Sequence, residues 1–442
     1  MNPMIFTQVV ADFSNDTWWI SGLKALFIVL FLIFSVIFAL WFERRLIARF
    51  QNRVGPNTVG PFGLGQSFPD ALKLIFKEDF WLAGAEKIVY IVAPVITAIC
   101  AFSVMAVIPM GPEVSIFGLR TPLQLTDSPV AMLFILAVAA LGEYGMVFGG
   151  WSAKSTLPLY GSVRSATQMI SYELAQGLSL VTIFLAAATM STSGIVGAQQ
   201  EIWNVVTLLP AFLVFLVTMF GETNRLPFDL PEAEGEIVAG PHTEYSSMKF
   251  AWYYLGEYVN MFNVSMLAVT LFFGGWRSGP IMTTLCGLIG FDPNTGWFPM
   301  LVFIFKVWIF IGIFVWVRAT LLRFRYDQFM KLGWKGLIPS ALIWLTIVLV
   351  LHGYKMIHPQ FNDRWPMIIL STGFAIIMLI WAFVRDDEKI SQSELIAQRE
   401  SQEFDGFEDG YPVPPLPGQH LPPSPRATRR VANPVPTTTQ EA

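Results

Sequence analysis

Apolar runs long enough to cross the roughly 30 Å hydrocarbon layer of a bilayer begin near Leu23, Ile88, Pro129, Gln168, Trp203, Ala251, Pro299, Leu337 and Trp365. They predict an all-α polytopic membrane protein with nine transmembrane helices. Between the first two runs, glycines and prolines impose turns before a segment in which Phe68, Leu72, Ile75, Phe76 and Phe80 share one helical face. This spacing predicts an amphipathic helix lying in the interface, either as a simple anchor or as a cover over a lipid-soluble substrate. Beyond Val384 the apolar period stops. Residues 385–442 are polar and then proline-rich, the composition of a disordered tail.

The flanks of these runs orient the chain. No basic stretch precedes the first run, Trp18 and Trp19 mark one interface, and Glu43, Arg44 and Arg45 follow. With residues 1–22 outside, Arg44, Arg45, Arg49, Arg53, Lys73, Lys77 and Lys87 fall inside, as do Arg318, Arg323, Arg325, Lys331 and Lys335. The positive-inside rule is then met with the C-terminus cytoplasmic.

Composition narrows the chemistry. Of 442 residues, 54% are hydrophobic and 14% charged, and the net charge of -4 offers no basic footprint for nucleic acid. Cys100 and Cys286 lack the spacing of a zinc or iron-sulfur site, and four scattered histidines do not suggest paired haem ligands. The chain is expected to hold no metal and no redox cofactor of its own.

The densest chemistry lies in GETNRLPFDLPEAEGEIVAGPHTEY, from Gly221 to Tyr245, where Glu222, Asp229, Glu232, Glu234, Glu236 and Glu244 surround a lone Arg225. Like charges at close quarters raise one another's pKa and make proton occupancy easy to switch, although a solvated loop would show the same composition. Arg225 would favour ionisation of whichever carboxylate it meets. Pro231 suggests a short helix whose first-turn acids, Glu232 and Glu234, answer the dipole. Within apparent spans lie Glu143, Glu173, Glu257 and Lys306. A charge at a span's centre costs about 2.5–3.5 kcal/mol, so such residues face a partner or a wet path. Lys306, the deepest, could pair with a carboxylate and tune the acids or be one half of a static ion pair. Arg318, Arg323 and Arg325 with Asp327 sit at an inner span end, where basic residues mark orientation by default; Arg53 and Asp70 read equally as structural ion-pair members.

Four stretches together resemble one family: ERRLIARFQNRVGPNTVGPFGLGQ with DALKLIFKE, GW with GSVRSATQMISYE, the acidic loop, and RFRYDQ. They resemble the H-type membrane subunit (subunit 1 in mitochondria) of respiratory complex I, the proton-pumping NADH:quinone oxidoreductase. The resemblance covers residues 23–354 and implies an eight-helix core, leaving 355–384 as an additional helix. It implies that Arg44, Arg45, Arg53 and Asp70 line or brace a quinone channel. Glu43, Glu173, Glu222, Asp229, Glu232, Glu234, Glu236, Glu244, Glu257 and Lys306 would form a proton or coupling path, with Arg225, Arg318, Arg323, Arg325 and Asp327 as charge partners. Quinone would be the substrate, and flavin and iron-sulfur clusters would reside on partners. Those partners would be the peripheral quinone-module subunits and small membrane-arm subunits, with the path leading toward antiporter-like subunits. Two positions depart from the family pattern: Leu322 replaces a proline before RFRYDQ, and Glu143 stands where the pattern is apolar. The rival expectations are a membrane anchor of a related hydrogenase or other donor-linked complex, and a free-standing proton-coupled transporter. The second is weakened by the absence of a visible repeat.

Overall fold

The structure, a computed structural model, describes residues 11–384 apart from 15, 83, 117, 280–282, 285–291, 359 and 361–363, and apart from the side chains of 234 and 382–384. The expected tail and half of the outer segment lie outside these residues. Two compact units divide the chain, Met1–Ile376 and Ile377–Ala442. The described part of the second is the end of the last helix.

Helices occupy all nine expected positions. They are α1 (Trp18–Phe50), α3 (Lys87–Val104), α4 (Ala131–Ser152), α5 (Thr156–Ala187), α7 (Leu209–Glu222), α8 (Ser247–Phe272), α9 (Phe298–Thr320), α11 (Ile338–Ile357) and α12 (Arg364–Val384). Shorter helices are α2 (Ser67–Phe76), α6 (Thr192–Ala198) and α10 (Tyr326–Leu332), and one antiparallel hairpin pairs β1 (Glu113–Ile116) with β2 (Leu119–Pro122). Among the described residues, seven helices are long and apolar enough by themselves to cross a membrane. Their outward faces are apolar: Phe34, Ile99 and Phe305 are 66%, 61% and 68% exposed. That surface suits lipid and not water.

The fifth and sixth expected spans fall short for different reasons. Helix α7 has 14 residues, about 21 Å at 1.5 Å per residue, less than the layer it would cross. Helix α8 has 26 residues and is buried at every position from Met261 to Phe272. Wrapped by protein, it needs no lipid-facing stripe and can carry Asn263, whose amide donates to Ala101 O at 2.7 Å.

Helix α4 packs along α3 and α5, and α8 packs along α3. Buried Gly142, Gly145, Gly149 and Gly150 line one side of α4. A Cβ at Gly145 would meet Ala93 O at 2.6 Å, so only glycine permits that approach of α3. Glu143 is thereby held near Thr97 of the neighbouring helix. Before α2, Gly63 adopts φ 75°, and a Cβ there would lie 2.9 Å from Asn57 N, so this turn also requires glycine. Helix α2 ends at Phe76, which leaves Phe80 off the expected face. Its apolar side is open, with Phe68 and Phe76 63% and 83% exposed, while Ser247 Oγ donates to Leu74 O at 3.1 Å and fixes it to α8.

Candidate functional site

At the end of the bundle that carries the first basic loop, α1, α8, α9 and the acidic loop converge on two buried groups, Glu43 and Arg225. Glu43 comes from the last turns of α1. It accepts Tyr258 Oη at 2.6 Å and a hydrogen bond from Arg318, and lies 3.9 Å from Arg225. Arg225 Nε lies 2.9 Å from Glu257, and its guanidinium stacks 4.0 Å from the centre of the Tyr258 ring. Burial opposes charge on Arg225, but Glu257, Tyr258 and Glu43 together drive its pKa above the ordinary value. Two carboxylates and two guanidiniums thus share one locus, bracketed by an aromatic face.

Beside it runs a row of acids. Glu143, Glu222, Glu232, Glu257 and His242 line a cavity of about 20 Å³ together with Thr97, Asn224 and Asn260. A second small cavity holds Glu173 and Gln176 and shares Glu222 with the first. Gln176 donates to Glu222 at 2.7 Å, and Ser165 Oγ donates to Glu143 at 3.4 Å. Glu173, Glu222, Glu143 and Glu257 therefore form a continuous lining on α5, α7, α4 and α8.

The loop from Thr223 to Ser246 folds over this row. Gln168 Nε2 holds it, lying 2.9 and 3.0 Å from Asn224 Oδ1 and Phe228 O in the loop and 2.7 Å from Gly221 O at the end of α7. Phe324 N donates to Pro227 O at 3.1 Å, which brings the RFRYDQ segment onto the same loop. Burial, then the neighbouring Glu232, pushes the Asp229 carboxyl up to about 7, against the pull of Arg323 and Arg225. Glu236 behaves oppositely: Arg164 donates to it at 2.5 Å and lowers its pKa. His242 is buried and pushed down to about 4 by that burial, so its imidazole is neutral near pH 7. The backbone carbonyl of Glu244 accepts Tyr90 Oη at 2.5 Å. The Glu234 side chain lies outside the described residues.

A larger cavity of about 360 Å³ opens against the Glu43 cluster, lined by Glu43, Arg44, Arg53, Tyr254, Tyr258 and Arg318 among others. Arg45 and Asp70 are not on its wall. Asp70, on α2, pairs with Arg44 of α1 and accepts Gln66 Nε2 at 3.3 Å; Arg45 donates to Phe62 O and stacks near Trp41 and Phe62. These two brace the turn. Arg325 lies 3.7 Å from Asp327, both exposed, and Asp327 sits in the first turn of α10.

Lys306 has partners other than the expected carboxylate. Its Nζ donates to Phe273 O, Gly275 O and Arg277 O at 2.7, 3.0 and 2.7 Å and lies 4.7 Å from the Trp203 ring centre. It closes the C-terminal end of α8, well beyond Glu257 in the middle of that helix, because orphan carbonyls at a helix end attract a cation. Sequence reasoning missed Arg164, Gln168, His242 and Tyr258. The signal for the first two was within GSVRSATQMISYE, but nothing local shows that α5 meets the acidic loop. Among the described residues, no group of three or more His, Cys, Asp or Glu side chains could hold a metal ion.

Fold and site together define an all-α, multi-pass membrane protein whose interior carries a row of carboxylates beside an arginine-lined cavity. The family described as NADH dehydrogenase matches residues 23–349. The chain belongs to that family, as its four motifs implied. It is 47% identical over 435 residues to a protein of Streptomyces avermitilis named as the H subunit of NADH-quinone oxidoreductase, covering 97% of this chain and 94% of that relative. The similarity therefore extends past the residues that the family match covers.

Proposed function

We propose that this chain is the H-type membrane subunit of a proton-translocating NADH:quinone oxidoreductase, giving quinone access to the enzyme and carrying an acidic coupling path. The observation that supports this most directly is continuity. The 360 Å³ cavity ends on Glu43, and Glu43 is joined through Arg225 to Glu257 and the acid row. A cavity of this size falls in the range that takes a small molecule. Arg44, Arg53 and Arg318 favour negative charge developing on a quinone as it is reduced, and Tyr258 and Tyr254 supply hydroxyls. Negative charge there favours proton uptake from the loop side, which draws protons along the row. Asp70 and Arg45 hold the access turn. Electrons arrive from flavin and iron-sulfur clusters on partner subunits, and the basic loops face the cytoplasm, where the peripheral arm docks.

The test is inhibitor-sensitive NADH:quinone electron transfer in membranes carrying Arg53→Ala, with assembly followed on a native gel. Loss of activity in assembled complex supports the quinone role; normal activity removes Arg53 from it. For the path, neutralising Glu173, Glu222 and Glu257 together and finding proton pumping per electron unchanged would sink the reading.

A further inference from the structure

His242 belongs to none of the roles above, yet it stands where loop and membrane acids meet. Its ring is held by Tyr253 and Phe250, with centroids 5.0 and 5.9 Å away in edge-on geometry. Its Nε2 lies 3.8 Å from Glu232 Oε1, and its Nδ1 is buried with no hydrogen-bond partner among the described residues. A buried imidazole nitrogen left unmatched is costly, so it calls for a ligand. The cavity that the residue lines measures about 20 Å³ and is walled by Glu143, Glu222 and Glu257 as well as Thr97, Asn224 and Asn260. That volume exceeds the roughly 10–15 Å³ one water needs, and the wall offers more than the two to four polar partners that hold a water in place.

We propose that His242 is a positioning residue whose Nδ1 fixes a single water among Glu143, Glu222 and Glu257, and that this water is the proton bridge between them. The proposal rests on the acid-row reading above. Neutral imidazole suits the task, since one nitrogen donates while the other accepts and no fixed positive charge pins a carboxylate in its ionised form. When one of the three carboxyls is protonated, it gives its proton to the water as the water gives one to a second carboxylate; the water is regenerated and one proton has moved. Glu232 lies on the Nε2 side of the ring, so its charge favours the hydrogen on Nε2 and leaves Nδ1 as the acceptor.

The experiment compares proton pumping by the whole complex bearing His242→Phe, His242→Gln or Glu222→Gln. Phenylalanine keeps the ring contacts and loses the nitrogens; glutamine restores a donor and an acceptor. We expect His242→Phe to pump about tenfold more slowly in fully assembled complex and His242→Gln to recover most of the rate. Normal pumping by His242→Phe, or a glutamine variant as slow as the phenylalanine one, overturns the proposal. Normal pumping by Glu222→Gln overturns the acid-row reading itself and this inference with it, whereas a slow Glu222→Gln beside a normal His242→Phe removes only the bridge. Should His242→Phe fail to assemble, a high-resolution map of the native complex decides. Density about 3 Å from Nδ1 supports the water, and a featureless cavity refutes it.

Discussion

The two ends of the bundle bury charge in opposite ways. Away from the acidic loop, charges sit with fixed neighbours. Lys24 meets Asp16 at 2.5 Å, and Asp16 also accepts Thr121 Oγ1; Asp127 accepts Ser191 Oγ at 2.8 Å and Ser193; Lys306 is held by three carbonyls. At the acidic end Glu43, Glu257 and Asp229 share Arg225, with Arg318 and Arg323 nearby, while Glu143 and Glu222 accept hydrogen bonds from neutral side chains. Locked pairs hold one arrangement of charge. A shortage of fixed cations leaves carboxylates whose protonation can respond to an event nearby.

The largest break in this contrast should come from Arg225→Met. Removing the shared guanidinium leaves Glu43 and Glu257 buried without it, and the expected loss is about 3–5 kcal/mol, read as less assembled complex on a native gel and a lower inactivation temperature. An unchanged inactivation temperature would show that the acids are already neutral. Lys306→Met should come next, at about 1–3 kcal/mol, because three carbonyls lose their donor. In complexes that do assemble, protons pumped per electron should equal wild type; a lower ratio would return Lys306 to the coupling path.

Asp229 sharpens the comparison through pH. Its carboxyl titrates near 7 in the fold against an ordinary 3.8, so the folded loop binds the extra proton between those values. Stability from this group is therefore full below about 3.8 and is lost as pH rises through 7. Hydrogen exchange in the loop, corrected for intrinsic rates, should quicken from pH 6 to 8, and Asp229→Asn should flatten that rise. The smallest effect belongs to the partly exposed Arg164–Glu236 pair. Arg164→Ala should cost about 0.2–1 kcal/mol, diminishing with salt in thermal unfolding of the complex.

Much of this was legible in the chain because it is local. Apolar runs of membrane length need no tertiary information, and helices stand at every position they marked. The acidic loop and its lone arginine were visible for the same reason. Helix α8 stands where its apolar run marked it, but its Tyr, Asn and Ser positions lower its apolarity, and only its central place makes that harmless. Glu43 and Tyr258 lie 215 residues apart in sequence yet share a hydrogen bond, and no spacing rule joins them. Lys306 shows the reverse: a deep lysine argued for a carboxylate, but the backbone at the end of α8 was the nearer acceptor.

By itself the sequence determined the membrane class, the helix positions and the supply of carboxylates, because hydropathy and charge act over one helix length. The tertiary structure decided which carboxylates share Arg225, which cavity ends on Glu43, and that His242 stands among the acids. These follow from helix packing, where glycines on α4 let neighbouring backbones close in, and such long-range geometry is not written in any single stretch of the chain.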